Sequence, residues 1–411
     1  MTLRSDLLRY GYLPENLPPV FVSKGFADFV DAGELGADYQ TKKSDRTRPA
    51  TYNATKRGHH RRLFSIPNPI AAADTALFIA KHWESITNHI ARSQFSISIP
   101  KIDDSGIRAI AITPHGEITY LKSQRLAASR YIARTDFARF FPSIYTHSLP
   151  WSFHGKESAK KHRHETSAKV FFNRLDFILR QAQDGQTIGI PVGPDSSRVI
   201  AEIVASAVDQ EFHDRVRKDS PAMIRYVDDI WIGAATRDEA ERLLYTYRAC
   251  LREFELDINE HKTSIVPATE DLALAWPMEL GRQLKSEFGE HVGLWNRRRH
   301  RDEMLVVLDQ VFDVANRQRD DGVIKFTIRR LDDIHAWSTS WDVLHTFLVR
   351  CVKNYPHSID YVARVIAWRA RVKGDVDVKL WRHVIDELLV LHGGLGNDSE
   401  VVLGVVASHR A

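Results

Sequence analysis

Apolar and polar residues follow several distinct rhythms along this chain. In residues 70–92, Ala72, Ala76, Ile79, Trp83, Ile86 and Ile90 recur at three- and four-residue spacing and predict a helix. Residues 107–121, IRAIAITPHGEITYL, alternate around Gly116 and predict a hairpin. The middle of the chain then alternates strand and helix. Tyr131–Phe137 reads as a strand, and Val199, Ile200, Ile203, Val204, Ala207 and Val208 as a helical stripe. Ala222–Ala234 reads as two short strands. Arg237–Phe254 reads as an amphipathic helix with Leu243, Leu244 and Tyr247 inward, and Ser264–Val266 as a further strand.

From about residue 300 the pattern is helical throughout, with helices expected at 300–318, 327–337, 341–354, 358–372, 377–391 and 398–408. Two consecutive helix pairs are offset by roughly 37 residues, near the period of helical repeats. HEAT-like repeats and an ordinary helical bundle fit this region equally. Trp337, Trp341, Trp368 and Trp381 at helical spacing read as core rather than stacking platforms.

The central apolar run contains RYVDDIWIGA, residues 225–234. Uncompensated buried charge is costly, so two adjacent acids between apolar strands need an explanation. On the YVDD string alone an acidic hairpin turn suffices, since tight turns tolerate Asp. A second explanation is two-metal phosphoryl transfer, which needs acids from separate segments around ions roughly 3.5–4 Å apart. YIARTDFARFFPSIYTHSLPW, residues 131–151, supplies Asp136 near the end of its own apolar stretch. A hairpin laid antiparallel beside that strand brings Asp136 and Asp228 together, where a bound cation offsets their repulsion.

Composition narrows the class. The chain has 411 residues, 43% of them hydrophobic, and a formal net charge of +4, which permits a polyanionic partner without requiring one. Its positive charge is clumped at Lys42–Arg48, Lys56–Arg62 and Arg297–Arg301, as solvated surface or as phosphate contacts. Two distant cysteines, Cys250 and Cys351, exclude a disulfide scaffold and a cysteine-rich zinc site. No run approaches the roughly eighteen apolar residues of a membrane span, and MTLRSDLLRY lacks a signal peptide's apolar core. A cytoplasmic protein with no membrane contact is expected.

The order of motifs resembles that of the reverse transcriptases over residues 56–267. RTDFARFFPSIYTH resembles their first palm motif, GIPVGPDSSRVIAE (189–202) the second, RYVDD the third and LDINEHKTSI (256–265) the fourth. KRGHHRRLFSIPNP (56–69) resembles the first fingers motif. FFPSIYTHSLPW and IPVGPDSSRVIAE are similar to the bacterial abortive-infection and other defence-associated, antiphage reverse transcriptases, as is a helical region in place of an ordinary thumb. The resemblance implies an α+β right-hand polymerase. Its palm would be an antiparallel ferredoxin-like sheet with helices on one face, followed by an all-α C-terminal domain. The implied divisions are an N-terminal extension (1–55), fingers (56–130), palm with part of the fingers at about 150–190 (131–267), and helical domain (268–411).

The resemblance also implies site roles. Asp136 and Asp228 would hold two Mg²⁺ ions, for which Mn²⁺ can substitute, with Asp229 supporting and the Phe137 backbone contributing a ligand. Phe141 would press on the sugar and exclude a 2′-hydroxyl, rather than serve as core like Phe140. Arg62 and Lys56 would grip the triphosphate. Pro191 and Gly193 would lie against the incoming base and sugar, with Val192 where many members carry Gln. Lys262 would sit near the pyrophosphate, as general acid or as neutralising charge. Tyr226 would pack under the primer end, and Ser197 and Arg198 would face nucleic acid. Tyr145 and His147 read as structural, and His59 and His60 as loop residues.

The implied activity is Mg²⁺-dependent addition of dNTPs to a 3′-hydroxyl, on a nucleic-acid or protein primer. RNA, DNA or a non-coding RNA would be partners, and homo-oligomers occur in the group. A catalytically idle RNA-binding scaffold and an RNA-dependent RNA polymerase are the alternatives; the converging charges oppose the first and Phe141 the second.

Overall fold

The computed structural model describes residues 2–15, 17, 21–36, 39–55, 61–217, 221–271, 276–289, 297–338 and 340–402. Its strands are β1 (Ala50–Thr55), β2 (Arg61–Ile66), β3 (Lys101–Ile102), β4 (Ile110–Ala111), β5 (Tyr131–Asp136), β6 (Met223–Tyr226), β7 (Asp229–Ala234) and β8 (Ser264–Pro267). β1 pairs with β2 and β3 with β4, while the other four form one sheet in the order β6-β7-β5-β8. All three of its pairings are antiparallel. With helices between β5 and β6 and between β7 and β8, this is the split βαβ, ferredoxin-like arrangement.

The sheet forms because its two faces are both used. Ala133, Ile230, Ile232 and Ala234 belong to one core with Ile203, Val204, Leu243 and Tyr247, on the helices Asp195–Arg215 and Arg237–Glu253. Ile132, Ile224 and Trp231 point the other way, into a smaller cluster with Ile118 and Leu126. Period-two alternation therefore assigns Asp136 and Asp229 to the face opposite the two long helices.

Two sequence expectations are corrected. Residues 115–125 form a helix rather than the second arm of a hairpin, and only Ile110–Ala111 pairs, with Lys101–Ile102. Ile118, Lys122 and Leu126 are buried at four-residue spacing, a helical face that the local alternation hid. The expected helix 70–92 breaks at His82 into Pro69–Lys81 and Trp83–Ile90. His82 leaves the helical conformation (φ −110°, ψ 17°) and stacks on Phe171 at 4.4 Å.

The chain divides into two compact units: Met1–Glu15, Pro19–Thr51 and Ser65–Ala273; and Asn16–Pro18, Tyr52–Phe64 and Leu274–Ala411. In the second, helices Trp276–Phe288, Arg297–Gln318, Gly322–Asp333, Trp341–Asn354, Ile359–Val372 and Val378–Gly394 bury one apolar core. Trp337 and Trp381 are buried there, and Trp341 and Trp368 pack partly buried against them, as core residues. The expected helix 398–408 is helical over 398–402, and its remainder lies outside the described residues. Within this unit the hairpin's Arg61 donates to the carboxylate of buried Glu400 at 2.7 Å, and Asn53 N–H to Asp398 at 2.8 Å.

Candidate active site

The register of β5 against β7 sets Asp136 directly opposite Asp229, and that of β6 against β7 sets Tyr226 opposite the same residue. Opposed residues of an antiparallel pair share a face, so the two carboxylates project together. Val227 and Asp228 make the connecting turn. The Asp228 carbonyl accepts from the Phe137 N–H at 3.2 Å, which ties the turn to the end of β5. The fourth motif closes the other side: Asn259 N–H donates to the Asp136 carbonyl and Ala138 N–H to the Asp257 carbonyl, both at 2.8 Å.

Asp136 is buried at 4% exposure, and its Oδ1 has no hydrogen-bond partner among the described residues. Its Oδ2 accepts from the Lys262 ammonium. Burial alone would lower the Lys262 pKa. The Asp136 hydrogen bond and charge, with Asp229 and Asp228 adding to them, more than offset this and hold it above the usual lysine value. All three acids therefore act on one cation at one spot. Among the described residues no three His, Cys, Asp or Glu side chains form a ready-made metal cage. An orphaned buried carboxylate oxygen beside two further carboxylates nevertheless fits a hard cation that keeps water and substrate oxygens in its shell.

Around this centre, Phe140 is buried and packs edge-on to Phe137 at 4.6 Å, whereas Phe141 is only half-buried. The Phe141 carbonyl accepts from Ile190 N–H at 2.9 Å, and that of Ile144 accepts from Gly189 N–H at 2.8 Å, so the first and second motifs are joined by backbone. Gly193 (φ 126°) has no room for a Cβ, which would meet the Pro14 ring at 2.6 Å. The Val192 carbonyl accepts from Ser65 N–H at 2.9 Å. Buried Asp195 starts the following helix and accepts from Ala109 and Ile110 N–H and from Arg108.

Arg198 is partly exposed and donates to the Ile110 carbonyl at 3.3 Å. Its neighbour Ser197 is 1% exposed and turned into the packing of the helix, which corrects the expectation that it faces nucleic acid. Tyr226 donates to the Thr113 carbonyl at 3.1 Å; burial raises its pKa. Arg62 stands exposed on β2, in the second compact unit. Lys56, His59 and His60 lie outside the described residues, as does all but Arg301 of the basic side chains at 297–301. His147 pairs with Asp176 at 2.9 Å, and Tyr145 packs edge-on to it.

Sequence reasoning missed what lies behind the turn. Arg225 is fully buried and meets Glu202 at 2.7 Å and Asp209 at 2.8 Å. Burial opposes its charge, yet the two carboxylates raise its pKa well above the usual arginine value. The available signal was a lone Arg in an apolar strand and two acids within an apolar helical stripe.

A split βαβ sheet with three acids at one end is the frame of a polymerase palm. A family model described as reverse transcriptase (RNA-dependent DNA polymerase) matches residues 60–285, more than half of the 411. The chain belongs to that family, whose polymerases generally use divalent metal ions. No curated protein sequence matches it.

Similar solved structures include an apo telomerase from Candida tropicalis truncated from its C-terminal domain, at 11% identity and TM-score 0.38. That match covers 64% of this chain and 59% of the other, so this chain spans less than two thirds of its length. The untruncated apo telomerase from Candida tropicalis matches at 11% identity and TM-score 0.40, covering 88% and 70%. A telomerase from Candida albicans in complex with a telomeric RNA fragment matches at 11% and 0.36, covering 92% and 74%.

Proposed function

We propose that this protein is a reverse-transcriptase-type DNA polymerase that adds dNTPs to a 3′-hydroxyl. The observation that carries the reading is the opposition of Asp136 and Asp229 across the ladder, with Asp228 on the adjoining turn and Lys262 hydrogen-bonded to Asp136. Two Mg²⁺ ions, or Mn²⁺ in their place, would activate the hydroxyl and neutralise charge on the triphosphate and the leaving pyrophosphate. Asp136 and Asp228 would hold them, with Asp229 and the Phe137 carbonyl in support. Lys262, already protonated, would release Asp136 and turn to the pyrophosphate, either neutralising its charge or giving it a proton.

Half-buried Phe141 would close the space beside the sugar C2′ and so select deoxynucleotides. Pro191 and Gly193 would line the base and sugar, Arg62 and Lys56 the triphosphate, and Tyr226 and Arg198 the primer strand. The functional division remains an extension to residue 55, fingers to 130, palm to 267 and helical domain beyond. RNA, DNA or both are the proposed macromolecular partners, in a cytoplasmic protein; among the described residues no helix is long and apolar enough to cross a membrane.

The finer role rests on FFPSIYTHSLPW and IPVGPDSSRVIAE, whose resemblance to the defence-associated group supports antiphage DNA synthesis. Such synthesis would be untemplated or linked to a non-coding RNA, from a nucleic-acid or protein primer, in a monomer or a homo-oligomer. Purifying the full chain from infected and uninfected cells and sequencing the nucleic acid that it carries and makes tests this. DNA absent from an Asp228→Asn preparation supports the polymerase. Ribonucleotide product would favour an RNA polymerase, and protection from phage that survives the substitution would favour a non-catalytic scaffold.

A further inference from the structure

A polar cluster lies directly behind the Asp228 turn, and no step of nucleotide transfer uses it. Arg225 sits on β6, two residues before Val227, with its side chain on the helix-facing side of the sheet and fully buried. Its guanidinium spans Glu202 through Nη2 at 2.7 Å and Nη1 at 3.1 Å, and donates from Nε to Asp209 at 2.9 Å. Glu202 and Asp209 are seven residues apart on the helix Asp195–Arg215, two turns along the same face. The second negative charge is satisfied by hydroxyls: Ser96 donates to Glu202 at 2.7 Å, and Ser93 and Tyr247 donate to Asp209 at 2.5 and 3.2 Å.

This cluster reaches the turn at two points. Arg225 Nη1 donates to the Val227 carbonyl at 2.9 Å, and the Val227 N–H donates to Ser98 Oγ at 2.8 Å. Val227 has φ 57°, the left-handed region that a β-branched residue rarely enters. Such a conformation persists only where its surroundings over-determine it, and it is commonest where function needs a fixed geometry. Both peptide groups flanking Val227 are held from within the cluster, and the next residue carries a site carboxylate. Packing alone does not call for so many charges here, because buried ion pairs contribute little net stability compared with apolar packing.

We infer that Arg225, Glu202, Asp209 and Ser98 are positioning residues that clamp Val227 in its left-handed conformation and so fix Asp228 against Asp136 for cation binding. The inference rests on the polymerase reading of that site. The Asp228 carbonyl already meets Phe137 N–H, so an Asp228 released by a relaxed Val227 would lose its alignment with the end of β5.

The test compares wild type, Ser98→Ala, Val227→Asn and the double variant, as full chains. Asn tolerates the left-handed region, so it removes the need for the clamp. Mn²⁺ affinity is read by electron paramagnetic resonance, with Asp136→Asn as the control that lacks the site. The thermal midpoint, kcat and KM for dNTP are read in parallel. Losing one clamping hydrogen bond should weaken Mn²⁺ binding and lower kcat by about tenfold. KM for dNTP should stay within about twofold. In the Val227→Asn background the Ser98→Ala penalty should shrink to about threefold or less.

A lowered thermal midpoint with unchanged Mn²⁺ affinity would overturn the inference, as would an equal penalty in both backgrounds. Should Ser98→Ala not fold, Arg225→Lys keeps the charge and loses the planar fork. A folded Arg225→Lys protein with wild-type Mn²⁺ affinity would overturn it too. Wild-type protein that binds Mn²⁺ through Asp136 but joins no nucleotide would sink the polymerase reading, while the Mn²⁺ comparison would still decide the clamp.

Discussion

Replacing Lys262 with Met should destabilise the protein in a chelator and much less so in Mg²⁺. The lysine donates to buried Asp136 and feels the charges of Asp229 and Asp228, so without a metal it is a cation that helps balance this site. Met keeps the apolar stem and removes the charge. Breaking a fully buried pair costs roughly 3–5 kcal/mol. The Lys262 side chain is 53% exposed, however, so solvent screens the interaction and the cost falls to about 1–2 kcal/mol. A domain of 150–250 residues loses roughly 2–4 °C per kcal/mol, which gives a gap of about 2–8 °C.

The assay is scanning calorimetry at neutral pH in EDTA and in millimolar Mg²⁺. A raised lysine pKa contributes its stability in full below the ordinary lysine value and loses it only as pH climbs past the raised one. Neutral pH therefore samples the whole effect. In Mg²⁺ a second cation takes over the balancing role, and the gap should close to about 1 °C. An equal gap in both buffers would refute the reasoning, since it would mean that Lys262 and the metal do not share the carboxylates.

Three further outcomes are expected. Phe141→Ala should relax discrimination against ribonucleotides by about 10–100-fold in kcat/KM, and unchanged selectivity would show that the ring is core rather than gate. Burial lowers the pKa of His89 to about 4, with its bond to the Ile203 carbonyl opposing. The unfolded chain therefore binds the extra proton between about pH 6.5 and 4, and stability falls on acidification by up to about 3 kcal/mol. Urea titrations of His89→Gln should show a shallower loss over that window. Glu400→Gln strips the charge from a carboxylate only 1% exposed and should cost the helical unit about 1–3 kcal/mol; an unshifted thermal transition would show that the pair with Arg61 contributes no net stability.

The palm was legible because its signals are local. Apolar runs gave β5, β6 and β7 nearly to the residue, and the order of acids gave the turn. The helix Trp276–Phe288 was overlooked although Trp276, Leu280, Leu284 and Phe288 are spaced by four. Residues 115–125 mimic a strand because EITY satisfies period two over the short stretch in which period four also begins. The Arg225 cluster was hidden for a different reason. Each member is visible as an odd polar residue in an apolar run, but the sequence does not say that residues 23 and 16 positions away meet the guanidinium. The pairing of Arg61 with Glu400, 339 residues apart, carries no local trace. Burial also counts against a motif reading: Ser197 is 1% exposed between buried Asp195 and Val199, so helix packing turns it inward.

On the function proposed above, Asp136 and the Asp228 turn form one cation-dependent polymerising centre. Incorporation of labelled dNTPs by the purified full chain, with Mg²⁺ or Mn²⁺ and then with EDTA, in wild type, Asp136→Asn and Asp228→Asn, tests it most directly. Product is expected in the wild type with metal, with a loss of at least about a thousandfold in either variant or in chelator. Undiminished synthesis by a folded Asp136→Asn protein would contradict it.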